Sequence, residues 1–424
     1  MKEPSCASQA LRYYCTVGKG LEKFLAAEVQ CKLTADNVEH VTGKVFFTTR
    51  VDIEKVKGLK SAERLFLLLR RQPPLARARM TVRRHLAEEL IQDQVIGEQQ
   101  VWTEGLTLWR SLRTAKERTD PDRNGKDAGW SRKRKREQGE SDGQQPGCEG
   151  QGRVERRGSG APPVAFRVCC RSSGSIARQF SFQDLGRIIG IAISKQLGWR
   201  VNLREPDLEV NVHLSDDHCV VGLPLSRLPL ASRSYIKTTG LRSTVAWAMG
   251  SLAEIKPGSC VLDPMCGVGT LLLEAAKECP NSFFLGMDVD ESQLEKARGN
   301  VRFAELAERV ELMQSSVTAI PVPSCSVDAV ICDIPFGRKF GSKTDMATAL
   351  PAIVNEMERV LRVDGALVLL LSPALSSILK RSRPPQPAAP DRQPGEPPQG
   401  ARDPASHTAP RPPPRPYSSR ACTE

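Results

Sequence analysis

The sequence predicts an α/β protein: a parallel, Rossmann-like sheet in its second half, preceded by an α+β module in its first. Three observations predict it. Val261 to Ala276 reads VLDPMCGVGTLLLEAA, a buried strand that passes through a glycine turn into an amphipathic helix, Thr270 to Lys277. Two further apolar runs, Phe283 to Met287 and Val327 to Cys332, each lead into an aspartate, Asp288 and Asp333. Upstream, apolar Leu208, Val210, Val212 and Leu214 alternate with Glu209, Asn211 and His213, the period of a half-buried strand.

Taken in order, Arg12 to Val17 reads as a strand and Leu21 to Val29 as a helix with Leu21, Phe24, Leu25 and Val29 on one face. Val38 to Val41 and Lys44 to Thr48 are strands around Gly43, and Ile53 to Leu59 and Arg64 to Arg70 add a helix and a fourth strand. That order suggests a ferredoxin-like module within residues 1–109. From about Arg110 to Gly160 the pattern gives way to charge, Gly, Ser and Gln, too polar to offset its ordering entropy, so residues 110–160 read as a disordered basic insertion. It contains Arg132-Lys133-Arg134-Lys135-Arg136, a nuclear-import or nonspecific RNA-contact signal, with a merely solvated linker as the alternative. Order resumes with a strand at Val164 to Arg171. Ser181-Phe182-Gln183-Asp184 then starts a helix whose stripe is Leu185, Ile188, Ile189, Ala192, Ile193 and Leu197, stopped by Gly198. Asp216-Asp217-His218 turns the alternating strand into Cys219 to Leu223 as a hairpin, and Leu241-Arg242-Ser243-Thr244 opens the helix that leads into the second sheet.

In that sheet Val310 to Met313 is the third strand and Ala366 to Leu371 the fifth, with a helix beginning in Pro373 to Lys380. Arg383 onward is dominated by Pro, Gly, Gln, Ala and Arg, so residues 381–424 read as a disordered Pro-rich tail, of the kind an alternative splice form or an altered reading frame would produce. No β-branched or aromatic run there supplies a further hairpin, which leaves Ala366 to Leu371 as a sheet edge.

Composition narrows the class. A chain of 424 residues suggests about two to three domains, and a formal net charge of +12 favours a polyanionic partner, although much of the excess lies in the segments read as disordered. The 13 cysteines include no C-x-x-C, and the first residues carry no apolar signal core, so they read as reduced intracellular thiols. Cys169 and Cys170 are neighbours on a strand and point to opposite faces, so they cannot chelate together, and no metal site is predicted. The longest apolar runs, near Ile188 to Ile193 and Ala366 to Leu371, are far too short to cross a bilayer.

The three aspartate- and glycine-bearing motifs converge on the carboxyl edge of the second sheet, where open α/β sheets bind ligands. Gly267 and Gly269 permit a tight turn and a close ligand approach, while Leu272 stands where a dinucleotide fingerprint wants its third glycine, which argues against NAD. The motifs mark an S-adenosyl-L-methionine site: Asp263, Cys266, Gly267 and Gly269 line the donor, and Asp288, about 20 residues beyond the glycines, accepts from its ribose hydroxyls. Asp333-Ile334-Pro335-Phe336 fits a nucleobase amino group, a poor nucleophile that must be oriented through acceptors. Asp333 and the Ile334 carbonyl supply two acceptors, Pro335 stiffens the loop and Phe336 offers a stacking face. No covalent intermediate is needed, and Cys266 and Cys332 read as small space-filling residues rather than nucleophiles. Arg227, Arg233 and Lys237 follow the hairpin and are candidates for RNA phosphate contacts, with ordinary surface cations as the alternative; His213 is a candidate RNA contact or a solvated surface residue.

DPMCGVGT with a downstream D-x-P-F-G makes the chain resemble the THUMP-domain RNA guanine-N2 methyltransferases over roughly Leu11 to Leu375. The resemblance implies a THUMP RNA-binding domain at 161–232 and a Rossmann-like class I methyltransferase domain at 233–380, here lacking its last two strands. It also implies N2-methylation of guanosine in a structured small RNA, a tRNA or small nuclear RNA, and a small zinc-binding activator subunit as partner. Relatives often carry an acidic residue after the third strand, where this chain has Gln314-Ser315-Ser316, so Ser316 is left as the adenine-side contact. The location implied is the nucleus, with the cytoplasm as alternative. A catalytically impaired RNA-binding isoform is the competing reading, and a DNA or protein N-methyltransferase a third that the THUMP-like module disfavours.

Overall fold

A computed structural model describes residues 10–74, 84–114, 163–335 and 343–382. They fall in two compact units, Met1–Val17 with Ala26–Leu59 and Glu63–Leu230, and Gly18–Leu25 with Lys60–Ala62 and Ala231–Glu424.

The first unit contains β1 (Leu11–Thr16), α1 (Glu22–Leu33, whose first residues are grouped with the second unit), β2 (Asp36–Val41), β3 (Lys44–Thr49), α2 (Ile53–Lys57) and β4 (Arg64–Gln72). There follow α3 (Arg84–Val95), α4 (Gln99–Thr114), β5 (Ala165–Ser172), α5 (Ser175–Gln179), α6 (Phe182–Leu197), β6 (Arg200–Val201), β7 (Leu208–Leu214) and β8 (Cys219–Pro224). The strands read as a ferredoxin-like module and those read as a THUMP domain share one eight-stranded sheet, in the order β2-β3-β1-β4-β8-β7-β5-β6. The join is the antiparallel pairing of β4 with β8, Phe66 opposite Pro224 through Gln72 opposite Cys219. Tyr14 stacks on Phe66 at 4.7 Å between ring centroids, and with Phe46 and Val220 forms a buried cluster that spans both halves of the sheet.

The start of α6 follows its sequence signal. Ser181 Oγ accepts from the Asp184 amide at 3.1 Å, and Gly198 caps the far end in the left-handed conformation that glycine adopts without a Cβ penalty. By contrast, α4 runs to Thr114, past the Arg110 at which the polar insertion was expected to begin. Burying Trp102, Leu106, Trp109 and Leu112 on one face outweighs the polar residues between them, and Trp109 Nε1 also donates to the Pro224 carbonyl at 2.8 Å. The basic pentad at 132–136 and the tail from 383 lie outside the described residues.

The second unit is a five-stranded parallel sheet built from α7 (Ser243–Leu252), β9 (Cys260–Asp263), α8 (Thr270–Glu278), β10 (Phe283–Asp288), α9 (Glu291–Phe303), β11 (Val310–Gln314), β12 (Val327–Asp333), α10 (Lys343–Val360), β13 (Leu361–Leu370) and α11 (Pro373–Ser382). The strand order is β11-β10-β9-β12-β13, so the winding reverses between β9 and β12. One face buries Ala246, Leu272, Leu273, Leu294 and Val301, the other Leu350, Ile353, Met357 and Leu375. The fifth strand begins at Leu361, not Ala366: Asp364 and Gly365 interrupt its apolar pattern, and the pairing with β12 shifts register between Val327 and Ala329. Among the described residues β13 pairs with β12 alone and forms one edge of the sheet. No described helix is long and apolar enough to cross a membrane.

Candidate active site

The reversal point between β9 and β12 is where an open parallel sheet leaves a crevice beyond its carboxyl ends. Asp263 ends β9, Asp288 ends β10 and Asp333 ends β12, so three carboxylates reach this edge from three strands. The chain leaves β9 through a turn in which Cys266 N donates to the Met287 carbonyl at 2.8 Å and Gly267 N to Asp288 Oδ2 at 2.8 Å. Gly267 and Gly269 have φ of 54° and 83°, backbone that favours glycine, and Gly269 caps the N-terminus of α8. Among the described residues nothing lies within 4 Å of where a Cβ at Gly267 would stand, so the space in front of the turn is open. Asp290 N donates to Asp288 Oδ1 at 2.9 Å, so each Asp288 oxygen holds one amide and keeps a second lone pair.

Asp263 and Asp333 differ from Asp288 in each having an oxygen left over. Oδ2 of Asp263 and Oδ1 of Asp333 are buried with no hydrogen-bond partner among the described residues. Burial holds the Asp263 carboxyl well above the usual carboxylate range, with the charges of Asp333 and Asp288 adding to the effect. Burial likewise raises Asp333 to about 6. Two orphaned acceptors beside a third carboxylate fit a ligand that brings hydrogen-bond donors and positive charge. The donor set of S-adenosyl-L-methionine, ribose hydroxyls, an ammonium and a sulfonium, has that character.

Asp263, Cys266, Gly267, Gly269, Asp288, Asp333 and Pro335 are thus brought to one edge. Burial raises the thiols of Cys266 and Cys332 above their usual range, aided by the neighbouring carboxylates. Neither thiol is poised as a nucleophile. Phe336 lies outside the described residues. Ser316 is exposed in a tight turn after β11, its Oγ 2.9 Å from Thr318 Oγ1, while Gln314 stands in register with Asp288 and its amide reaches the Val289 carbonyl at 3.0 Å.

Arg233 requires a correction. Its side chain is 4 % exposed, and the guanidinium binds Glu274, whose side chain is fully buried, at 2.9 Å and donates to the Lys60 carbonyl at 2.6 Å. A guanidinium buried this far and already holding a carboxylate and a carbonyl is not presented to solvent for an RNA phosphate. Arg227 and Lys237 are exposed, the first in the other unit. Sequence reasoning missed Asn300, fully buried on α9, whose Oδ1 accepts from Lys237 N and Thr238 N and whose Nδ2 donates to the Thr238 and Val268 carbonyls, all between 2.8 and 3.1 Å. It ties the segment before α7 to the glycine turn and uses both donors and both lone pairs of its amide. An Asn within the polar run Arg298-Gly299-Asn300 carries no signal of this.

The sheet order, the glycine turn and the carboxylate edge define a Rossmann-like class I methyltransferase. Residues 231–382 match the family model described as RMKL-like, methyltransferase domain, and residues 156–223 match the THUMP domain. The chain is 43% identical over 397 residues to the U6 snRNA (guanine-N(2))-methyltransferase THUMPD2 of Bos taurus, spanning 85% of this chain and 78% of that protein. It is 24% identical over 410 residues to the tRNA (guanine(6)-N(2))-methyltransferase THUMP3 of Mus musculus, 84% of this chain and 80% of that one. The crystal structure of TrmN from Thermus thermophilus superposes with a TM-score of 0.61 at 22% identity, over 89% of this chain and 92% of that one, a likeness of fold. The chain belongs to the THUMP-domain RNA guanine-N2 methyltransferase family.

Proposed function

We propose that this protein transfers a methyl group from S-adenosyl-L-methionine to the N2 amine of a guanosine in a structured small RNA, and that the RNA is a small nuclear RNA, methylated in the nucleus. The observation that carries the reaction is the pairing of Asp333, whose buried Oδ1 has no hydrogen-bond partner among the described residues, at the end of β12 with the glycine turn at the end of β9 across the reversal point. The higher identity to the U6 enzyme than to the tRNA enzyme, 43% against 24%, supports the choice of RNA. Methyl transfer into transcripts of U6 snRNA and of tRNA, followed by nucleoside mass spectrometry, tests it. N2-methylguanosine in neither transcript would overturn the reading, and methylation of tRNA alone would overturn the choice of RNA. The small zinc-binding activator implied by the family belongs to the same reading and is tested by co-purification.

The bound donor supplies an electrophilic methyl group on a positively charged sulfur. Asp288 would accept from its ribose hydroxyls with the lone pairs left free by Gly267 and Asp290, and the unpartnered oxygens of Asp263 and Asp333 would lie beside it. The Gly267–Gly269 turn lets the backbone approach. Asp333 and the Ile334 carbonyl hold the amine by its two hydrogens and turn its lone pair toward the methyl group. Pro335 limits the freedom of the loop that presents them. Asp333 stands ready to take a proton as the new N–C bond forms.

Asp288→Ala removes two charge-assisted acceptors, each worth roughly 1.5 to 3 kcal/mol, and releases the amides of Gly267 and Asp290. Donor affinity measured by calorimetry should fall by about ten- to a hundred-fold. Unchanged affinity in a folded protein rules out the ribose assignment.

A second expectation follows from Asp333. A carboxyl can take the proton the amine gives up only after losing its own, and burial raises the pKa of Asp333 to about 6. kcat/KM, which reports the free enzyme, should therefore climb with rising pH through about 6 and level off above it. A flat profile across that range in a pH–rate series sinks the role given to Asp333.

A further inference from the structure

The first unit holds a cluster of basic side chains that methyl transfer does not use. Lys44 opens β3 and is 6% exposed, and its ammonium contacts Nδ1 of His213 on β7. The His213 ring stands edge-on to His218, with centroids 5.3 Å apart, and His218 is 6% exposed with neither ring nitrogen hydrogen-bonded among the described residues. Arg171 of β5 is in direct register with His213. Arg71 of β4 is in register with Val220, which pairs in turn with His213. Five basic residues thus gather on one part of the sheet from positions far apart in sequence.

The negative charge there is small. Glu39 binds Arg71 at 2.7 Å, and Asp217 flanks His218 in the turn. Among the described residues no carboxylate lies within ion-pair distance of Lys44, Arg171 or either histidine. Burying an ammonium without an opposite charge is unfavourable, and placing a guanidinium nearby makes it more so. Burial, with Arg171 adding to it, lowers Lys44 to about 8. Burial followed by the Lys44 charge pushes His213 down to about 3 and His218 to about 4. Near neutral pH the two imidazoles are therefore uncharged, each with one N–H to donate, beside two cations. An anion would answer the missing charge and the unused ring donor of His218 together.

The cluster adjoins an open hollow. Arg171 also lines a cavity of about 450 Å³ together with Ser172, Phe180, Ser181 and Phe182, and Phe182 is 66% exposed. An exposed ring beside a cation is the pairing that holds an unstacked base and its backbone.

We propose that Lys44, Arg171, His213 and His218 hold one phosphate of the RNA, with the neighbouring base in the hollow against Phe182. The site rests on the reading of RNA as substrate, and it is separate from the carboxylate edge where methyl transfer occurs. Anisotropy titrations of a labelled U6 snRNA transcript with the full chain, between about 50 and 200 mM salt, measure it. Arg171→Gln should weaken binding about ten-fold and reduce the slope of log K against log salt by about 1. Phe182→Ala should weaken binding by a similar factor, about ten-fold, with the slope unchanged. Lys44→Met should weaken RNA binding and raise the melting temperature, because it removes an unpaired buried charge; a merely structural lysine would do the reverse. Wild-type affinity and slope in both Lys44→Met and Arg171→Gln overturn the proposal. Titration with pyrophosphate, followed on the histidine ring resonances, separates the site from the choice of RNA. Shifts of His213 and His218 that are lost in Arg171→Gln support the site even if neither transcript is methylated, and unmoved resonances refute it.

Discussion

Asp333→Ala is expected to lower kcat/KM for methyl transfer by about 10³-fold, on the order of 4 kcal/mol, the scale seen when one preorganised polar group is removed from a reacting centre. RNA affinity should hardly change, because the residue sits at the end of β12 and not among the cations that would meet phosphates. Stability should not fall either. Asp333 Oδ1 has no hydrogen-bond partner among the described residues, and burial alone raises the carboxyl, so its removal deletes a desolvated group without stranding one. Asp333→Asn keeps one acceptor and the shape but not the charge, and should fall between alanine and wild type. Single-turnover methylation with saturating RNA, beside a thermal melt, checks both halves. A folded Asp333→Ala enzyme that methylates at more than about a tenth of the wild-type rate would remove Asp333 from the mechanism.

The second unit was largely legible because its signals are local. A buried strand, a pair of glycines and an amphipathic helix occupy consecutive residues from Val261 to Ala276, so periodicity and turn chemistry report the same element. The aspartates ending β10 and β12 were legible because each closes an apolar run. What failed to show depends on partners remote in sequence. Arg233 looked like a surface cation because its carboxylate, Glu274, lies 41 positions away on α8 among apolar residues. His213 looked solvated because the lysine that covers it lies 169 positions earlier on β3. Helix α4 was missed for another reason: its Trp102, Leu106, Trp109 and Leu112 have helical spacing, but the polar residues beside the insertion masked it. The shared eight-stranded sheet follows from one pairing, β4 with β8, between strands separated by the whole insertion, and nothing local encodes it.

Glu274→Ala is expected to be the most destabilising change in the methyltransferase unit. The carboxylate is fully buried and accepts from Arg233 Nε at 2.9 Å, from Arg233 Nη2 at 3.2 Å and from the Tyr235 hydroxyl at 2.9 Å. Removing it leaves a buried guanidinium facing a void, and breaking a buried pair in this way costs about 3 to 5 kcal/mol. That is a large share of the roughly 5 to 15 kcal/mol that holds a domain together. Because Glu274 lies on α8, the helix that leaves the glycine turn, donor affinity should fall with stability. Replacing both partners, Arg233→Met with Glu274→Leu, removes the charge problem and should recover most of the loss. Arg233→Ala alone should also destabilise the protein while leaving the salt dependence of RNA binding unchanged, which separates an internal ion pair from the phosphate contact that the sequence suggested. Urea denaturation of the four proteins decides it. A Glu274→Ala variant within about 1 kcal/mol of wild type would mean that the pair is solvated and that Arg233 is free to act elsewhere.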